Sequence, residues 1–136
     1  MKNRYKEILI SFPAWTFSAV TIGIILWLTL SSSPLGEYQP KLFPGADKLA
    51  HALMFGFLVV MLWLDKWRFS GFRSVGYPFL ICASIATSIF GIAIEFLQDQ
   101  MHSGRTLEVA DMVADSVGAL TAGLVCCFFQ PKSSDK

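Results

Sequence analysis

The stretch SVGYPFLICASIATSIFGIAI, residues 74–94, carries no charged side chain over 21 residues. A bilayer core is about 30 Å thick, and a helix that crosses it needs about 20 mostly apolar residues. Tyr77 and Pro78 lie near the start of the stretch, and proline is tolerated in the first turn of a helix. The stretch therefore predicts a membrane-spanning helix.

Three other charge-free runs flank this stretch, at residues 8–36, 49–64 and 116–131. The last two have 16 residues each, so we expect these two spans to include residues that flank the charge-free runs. The second can extend to Trp67 if Asp65 and Lys66 snorkel towards the interface. The fourth must take Asp111 and Asp115 into the membrane. We predict one domain, residues 1–136, with spans at about 8–30, 48–67, 76–97 and 107–129.

The composition supports a membrane protein. Hydrophobic residues make up 54% of the chain and charged residues 15%, and the mean hydropathy is +0.53. Soluble domains carry about 25% charged residues. The net charge of +1 lacks the basic excess that a nucleic-acid partner would require. We therefore predict an integral membrane protein with no nucleic-acid partner.

Lysine and arginine are distributed unevenly along the chain. Eight lie in the N-terminal segment, the 65–74 loop and the tail, against three in the 31–48 and 95–111 loops. Cytoplasmic loops carry the excess of basic residues. We therefore predict an all-α membrane protein, a four-helix transmembrane bundle with both termini cytoplasmic.

This topology brings polar residues to the outer ends of the second, third and fourth spans. Three pairs of these residues lie three or four positions apart, so the two members of each pair share one helix face. The pairs are Asp47 with His51, Glu95 with Gln98, and Asp111 with Asp115. Asp99, His102 and Glu108 are expected to be solvated loop residues. We expect nothing comparable on the cytoplasmic side. The candidate ligand-binding residues are Asp47, Lys48, His51, Glu95, Gln98, Arg105, Asp111 and Asp115.

Carboxylates outnumber bases in this region by four. An unpaired carboxylate in the depth of a membrane costs at least about 2.5 kcal/mol. The carboxylates must therefore be protonated, paired with a base such as Arg105, bound to a cation, or placed in a wet cavity. The same excess leaves room for a cationic ligand. Salt bridges between helices would need the same residues in the same places, and the sequence leaves that alternative open.

Familiar catalytic signatures are missing from the sequence. It contains no GxSxG, HExxH or CxxC motif and no P-loop. The spacing of its histidines and carboxylates matches no specific metal motif. We therefore assign no catalytic residue, no metal ligand and no cofactor, and the sequence leaves open whether the protein is an enzyme.

Three segments in this order resemble the VanZ-like family. DKLAH at 47–51 resembles its "DK-x-x-H" motif, and GIAIEFLQ at 91–98 its "G-x-x-x-E-x-x-Q" segment. Arg105, Asp111 and Gly118 match its "R … D-x-x-x-N-x-x-G" ending. Asp115 departs from the pattern, because the family commonly has Asn there. An acid at this position adds a charge that the Asn form lacks.

The resemblance implies a small multi-pass protein of the bacterial inner membrane, linked to the cell envelope. Members are associated with antibiotic resistance, namely low-level resistance to the glycopeptide teicoplanin. Our leading hypothesis is an outer-face pocket that binds the head group of a membrane lipid or lipid-linked wall precursor. Lys48 and Arg105 would hold an anionic part of that ligand.

Two alternatives stay open at this stage. One is a membrane enzyme that acts on a phospholipid or lipid-linked precursor, with His51 or Glu95 as general base and a metal on Asp47, Glu95 and Asp111. The other is a proton- or cation-coupled carrier, which four short spans would require to oligomerise. The sequence leaves the oligomeric state open.

Overall fold

The computed structural model describes residues 4–31, 43–101 and 106–130. These residues form helices and contain no strand, so the all-helical prediction is confirmed for them. The helices are α1 (Arg4–Ser11), α2 (Thr16–Leu30), α3 (Ala46–Phe69), α4 (Tyr77–Gln100) and α5 (Val109–Phe129). In the described part of the chain, α3, α4 and α5 are each long and apolar enough to cross a membrane. The number rises to four if α1 and α2 together form one span.

The first predicted span is broken. We predicted one continuous helix over about 8–30, but α1 ends at Ser11 and α2 begins at Thr16, and their axes differ by 60°. Pro13 lies in the break, where it removes a backbone N–H and clashes with the preceding turn. Trp15 takes a left-handed conformation with φ of 59°. Hydropathy alone did not reveal the break, because the apolar run continues through it.

A buried ion pair on α3 binds backbone groups on both sides of this break. Arg68 Nη1 donates to Asp65 Oδ1 at 2.7 Å, and Arg68 Nη2 donates to the Phe12 carbonyl at 2.8 Å. Asp65 Oδ2 accepts from the backbone N–H and the hydroxyl of Ser18, at 2.9 and 2.7 Å. The pair therefore satisfies backbone groups that the break leaves without helical partners.

One expectation is wrong here. Asp65 does not snorkel, because its side chain is fully buried and faces α2. The end of the bundle that carries Asp65 thus holds a buried ion pair that the sequence pattern did not reveal. Counting charged residues did not reveal this pair, because the sequence alone does not show whether Asp65 and Arg68 are buried together or are each exposed to solvent.

Small residues bring α5 into close contact with α3 and α4. A Cβ on Gly118 would collide with the backbone of Ala52 on α3. A Cβ on Gly56 would lie 3.1 Å from the Gly118 carbonyl. A Cβ on Gly123 would collide with the Ser84 hydroxyl on α4. Such contacts let helices approach closely in a bilayer, and they fix the position of α5 between its neighbours.

Large apolar side chains cover the outside of the bundle. Leu53, Ile89 and Leu124 are examples from α3, α4 and α5 that are each at least 60% exposed. The buried apolar core is small by comparison and centres on Phe55, with Ile25, Leu58 and Ile94. This surface fits a multi-pass membrane protein whose exterior faces lipid.

Candidate functional site

Polar side chains from three helices meet at one end of the bundle. The start of α3, the end of α4 and the start of α5 lie together there. We call this group of described residues the polar cluster: Asp47, Lys48, His51, Glu95, Glu108, Asp111 and Asp115. Arg105, which the sequence also predicted here, lies outside the described residues.

Lys48 stands among three carboxylates. Its Nζ lies 2.7 Å from Asp47 Oδ2 and 2.8 Å from Asp111 Oδ1, and it also pairs with Glu108. An ammonium group has three N–H donors. All three have a carboxylate to bind, so Lys48 offers little to an anionic ligand.

His51 links α3 to α5. Its Nδ1 lies 2.9 Å from Asp115 Oδ1, and its Nε2 lies 3.9 Å from Asp111 Oδ2. An ionised carboxylate has no proton and only accepts hydrogen bonds. In this pair Nδ1–H of His51 is therefore the donor and the carboxylate of Asp115 is the acceptor. In the neutral imidazole this leaves the lone pair on Nε2, directed away from Asp115.

Glu95 is almost fully buried, at 1% exposure, at the centre of the cluster. Its Oε2 faces the backbone N–H of Glu108 at 3.5 Å. Its Oε1 is also buried and has no hydrogen-bond partner within residues 4–31, 43–101 and 106–130. A buried carboxylate oxygen without a donor is costly. The Oδ2 of Asp115 is buried without a hydrogen-bond partner among the described residues as well, so both side chains favour a further partner in the cluster.

Gln98, which the sequence predicts to bind a ligand, contacts the main chain of α2. The side chain is buried, and its amide nitrogen donates to the Thr29 carbonyl at 2.6 Å. This bond joins α4 to the C-terminal part of α2. The structure thus places the amide nitrogen of Gln98 at a helix contact, while the other described candidates gather around Lys48 and His51.

Glu108 was expected to be a solvated loop residue. The side chain is 52% exposed, yet its carboxylate pairs with Lys48 and its backbone N–H faces Glu95. The signal in the sequence was its spacing: Glu108 and Asp111 lie three residues apart and so share a face with Asp115 as the helix begins.

Two groups of side chains within the described residues could hold a metal ion. In each, one possible ligand atom per residue lies within 4.8 Å of the others. His51, Glu95 and Asp111 form the buried group, and Asp47, Glu108 and Asp111 form the exposed one. The ammonium of Lys48 contacts all three members of the exposed group, so that group already has its cation.

An apolar groove runs along α3 and α5 beside the polar cluster. Its volume is about 490 Å³. It begins at Ala52, the residue that follows His51, and continues past Gly56 and Val117 to Val60 and Val125. The groove thus leads from the polar end towards the middle of the bundle.

The VanZ/LLP1 family model matches residues 5–130, which is nearly the whole chain. The chain belongs to the VanZ/LLP1 family. The resemblance that three short motifs suggested is therefore confirmed. In this VanZ/LLP1 protein the matched region includes every residue of the polar cluster and all but the first residue of the five helices. No curated protein and no solved structure matches the chain.

Proposed function

We propose that this VanZ/LLP1 protein binds the head group of a membrane lipid or lipid-linked wall precursor at the polar cluster. The observation that carries the proposal is the position of the cluster, next to an apolar groove on a bundle whose outside is apolar. A lipid has the same division into a polar head and an apolar chain. In this proposal the protein is a multi-pass inner-membrane protein with the polar cluster on the outer side.

The charge of the cluster selects the kind of head group. Five carboxylates stand against one lysine among its described residues, and Lys48 is already surrounded by three of them. A cationic part of the ligand, such as a primary amine, fits this excess of negative charge. This differs from the phosphate-binding role that we predicted for Lys48.

The groove supplies the apolar half of the site. It begins one residue beyond His51, so a head group in the cluster would place its first acyl carbons at the mouth of the groove. Gly56 and Gly118 line the groove where α3 and α5 are in close contact. An acyl chain bound in the groove would make fixed van der Waals contacts with the protein, in place of the looser contacts it makes with other lipids in the bilayer.

The link to teicoplanin resistance and the cell envelope, which the family resemblance implies, belongs to this proposal. Teicoplanin carries a lipid tail, so it acts at the membrane surface where the polar cluster would lie. A protein that binds a lipid-like head group on that surface could change how such a molecule reaches its target.

The test is native mass spectrometry of the purified protein with phosphatidylethanolamine or phosphatidylglycerol in matched mixed micelles. We expect retention of the amine lipid over the anionic glycerol lipid. Thr121→Phe fills the groove from α5 and should lower retention about tenfold, whereas Ile89→Phe, at an exposed position on α4 that does not line the groove, should not. Equal retention of both lipids, or equal effects of the two variants, would overturn the proposal.

A further inference from the structure

The buried half of the polar cluster has the donor set of a metal site. We infer that His51, Glu95 and Asp111 bind a divalent transition-metal ion, and that Asp115 holds His51 in the orientation that this requires. The three ligands come from α3, α4 and α5, which explains why no metal motif is visible in the sequence. The inference goes beyond lipid binding and does not depend on it.

The first support is the Oε1 atom of Glu95. This atom is buried and has no hydrogen-bond donor among the residues that the structure describes. One carboxylate oxygen of Glu95 lies within 4.8 Å of possible ligand atoms on both His51 and Asp111. A cation at the centre of the three would give the buried carboxylate of Glu95 a partner of opposite charge.

The second support is the arrangement around His51. Metal-binding histidines generally donate their other ring N–H to a carboxylate or carbonyl, which fixes the tautomer and the ring orientation. His51 Nδ1 makes this bond with Asp115 at 2.9 Å. Nε2 is left facing Asp111 Oδ2 at 3.9 Å, beyond the reach of a hydrogen bond but on the side where an ion would lie.

A dication would also reduce the excess of negative charge in the buried part of the cluster. Glu95, Asp111 and Asp115 carry three negative charges when ionised. A divalent ion would offset two of them, while the single charge of Lys48 is shared among Asp111, Asp47 and Glu108. The exposed group of carboxylates needs no such ion, because Lys48 lies within it.

The ligand chemistry identifies the class of metal. Imidazole nitrogen suits zinc, iron, nickel and copper, while carboxylates also accept manganese. Ligands at 2.0–2.2 Å from a tetrahedral ion lie about 3.4 Å apart. The ligand atoms lie at most 4.8 Å apart, so these separations must shorten by no more than about 1.4 Å on binding, which side-chain rotations can supply.

The experiment measures Zn²⁺ binding to the full-length protein in detergent after removal of metal with a chelator. Isothermal titration calorimetry and elemental analysis should show one equivalent of zinc, not displaced by an equal concentration of Mg²⁺. Glu95→Gln and His51→Gln should weaken the zinc affinity at least a hundredfold. Asp115→Asn should weaken it about ten- to a hundredfold, as loss of an orienting carboxylate does. Asp47→Asn is the control and should bind zinc as the wild type does.

The melting temperature of each metal-free variant shows whether it is folded. If Glu95→Gln or His51→Gln does not fold, the wild type decides the matter: zinc should raise its melting temperature, and the chelator should reverse the rise. A folded wild type that binds no zinc overturns the inference. So does zinc binding that Asp47→Asn abolishes and Glu95→Gln does not, because the ion would then lie in the exposed group. Lipid retention is not part of this assay, so failure of the lipid proposal leaves its result unaffected.

Discussion

His51 and Asp115 are 64 residues apart in the sequence, yet their side chains meet at 2.9 Å between α3 and α5. The carboxylate of Asp115 is fully buried. Gly91 on α4 makes room for it, because a Cβ there would lie 2.7 Å from Asp115 Oδ2. One aspartate thus occupies a space that all three long helices share.

We expect Asp115→Ala to lower the free energy of unfolding by about 1–3 kcal/mol, because His51 loses its buried partner and a cavity forms. Asp115→Asn should cost less, because the amide oxygen still accepts from Nδ1. Thermal unfolding in one detergent, followed by circular dichroism, measures the difference. Equal losses in the two variants would show that the His51 hydrogen bond does not contribute.

Gly118→Ala should destabilise the bundle by about 1–3 kcal/mol, since the added methyl group meets the backbone of Ala52 and forces α3 and α5 apart. Gly23→Ala on α2 is the matched control, because a Cβ there has no atom within 4 Å. Alanine also favours the helix over glycine, so the control should be neutral or stabilising. A melting temperature that falls equally in both variants would contradict this account of the α3–α5 contact.

Arg68→Ala should destabilise the protein by about 3–5 kcal/mol, because it leaves Asp65 as an uncompensated buried charge and releases the Phe12 carbonyl. Lys66→Ala removes an exposed charge from the same turn and should change stability by less than about 0.5 kcal/mol. The comparison uses the same unfolding assay. Similar small losses in both variants would mean that the ion pair does not hold the break between α1 and α2.

The predicted orientation places the polar cluster outside the cell. In a background without the three native cysteines, Asp99→Cys at the end of α4 should react with an impermeant maleimide in intact cells. Ser74→Cys, before the start of α4, should react only after permeabilisation. The reverse pattern would place the polar cluster in the cytoplasm and the proposed head-group site on the inner leaflet.

The sequence indicated most of the polar cluster, because helical spacing reveals which residues share a face. It did not show how the charges pair. Lys48 was expected to hold an anion, but it lies among three carboxylates, one of which belongs to a residue expected to be solvated. Pairing depends on distances between helices, and residue spacing within one helix contains no information about them.

The first span illustrates a second limit of sequence patterns. Pro13 is visible in the sequence, yet the charge-free run of residues 8–36 predicts one continuous span through it. Pro13 interrupts the helix, and Asp65 and Arg68, about 50 residues further along the chain, satisfy backbone groups beside the break. A local pattern cannot show whether such distant partners are present.

The sequence by itself determined the membrane class, the helical fold and the family, because the solvent preference of long apolar runs and the order of short motifs need no knowledge of contacts. Only the tertiary structure decided three features: His51 faces Asp115, an oxygen of the buried Glu95 lacks a partner among the described residues, and Lys48 already has its carboxylates. The physical reason is that burial and charge pairing are properties of several helices at once. They follow from how closely glycines such as Gly118 let those helices approach.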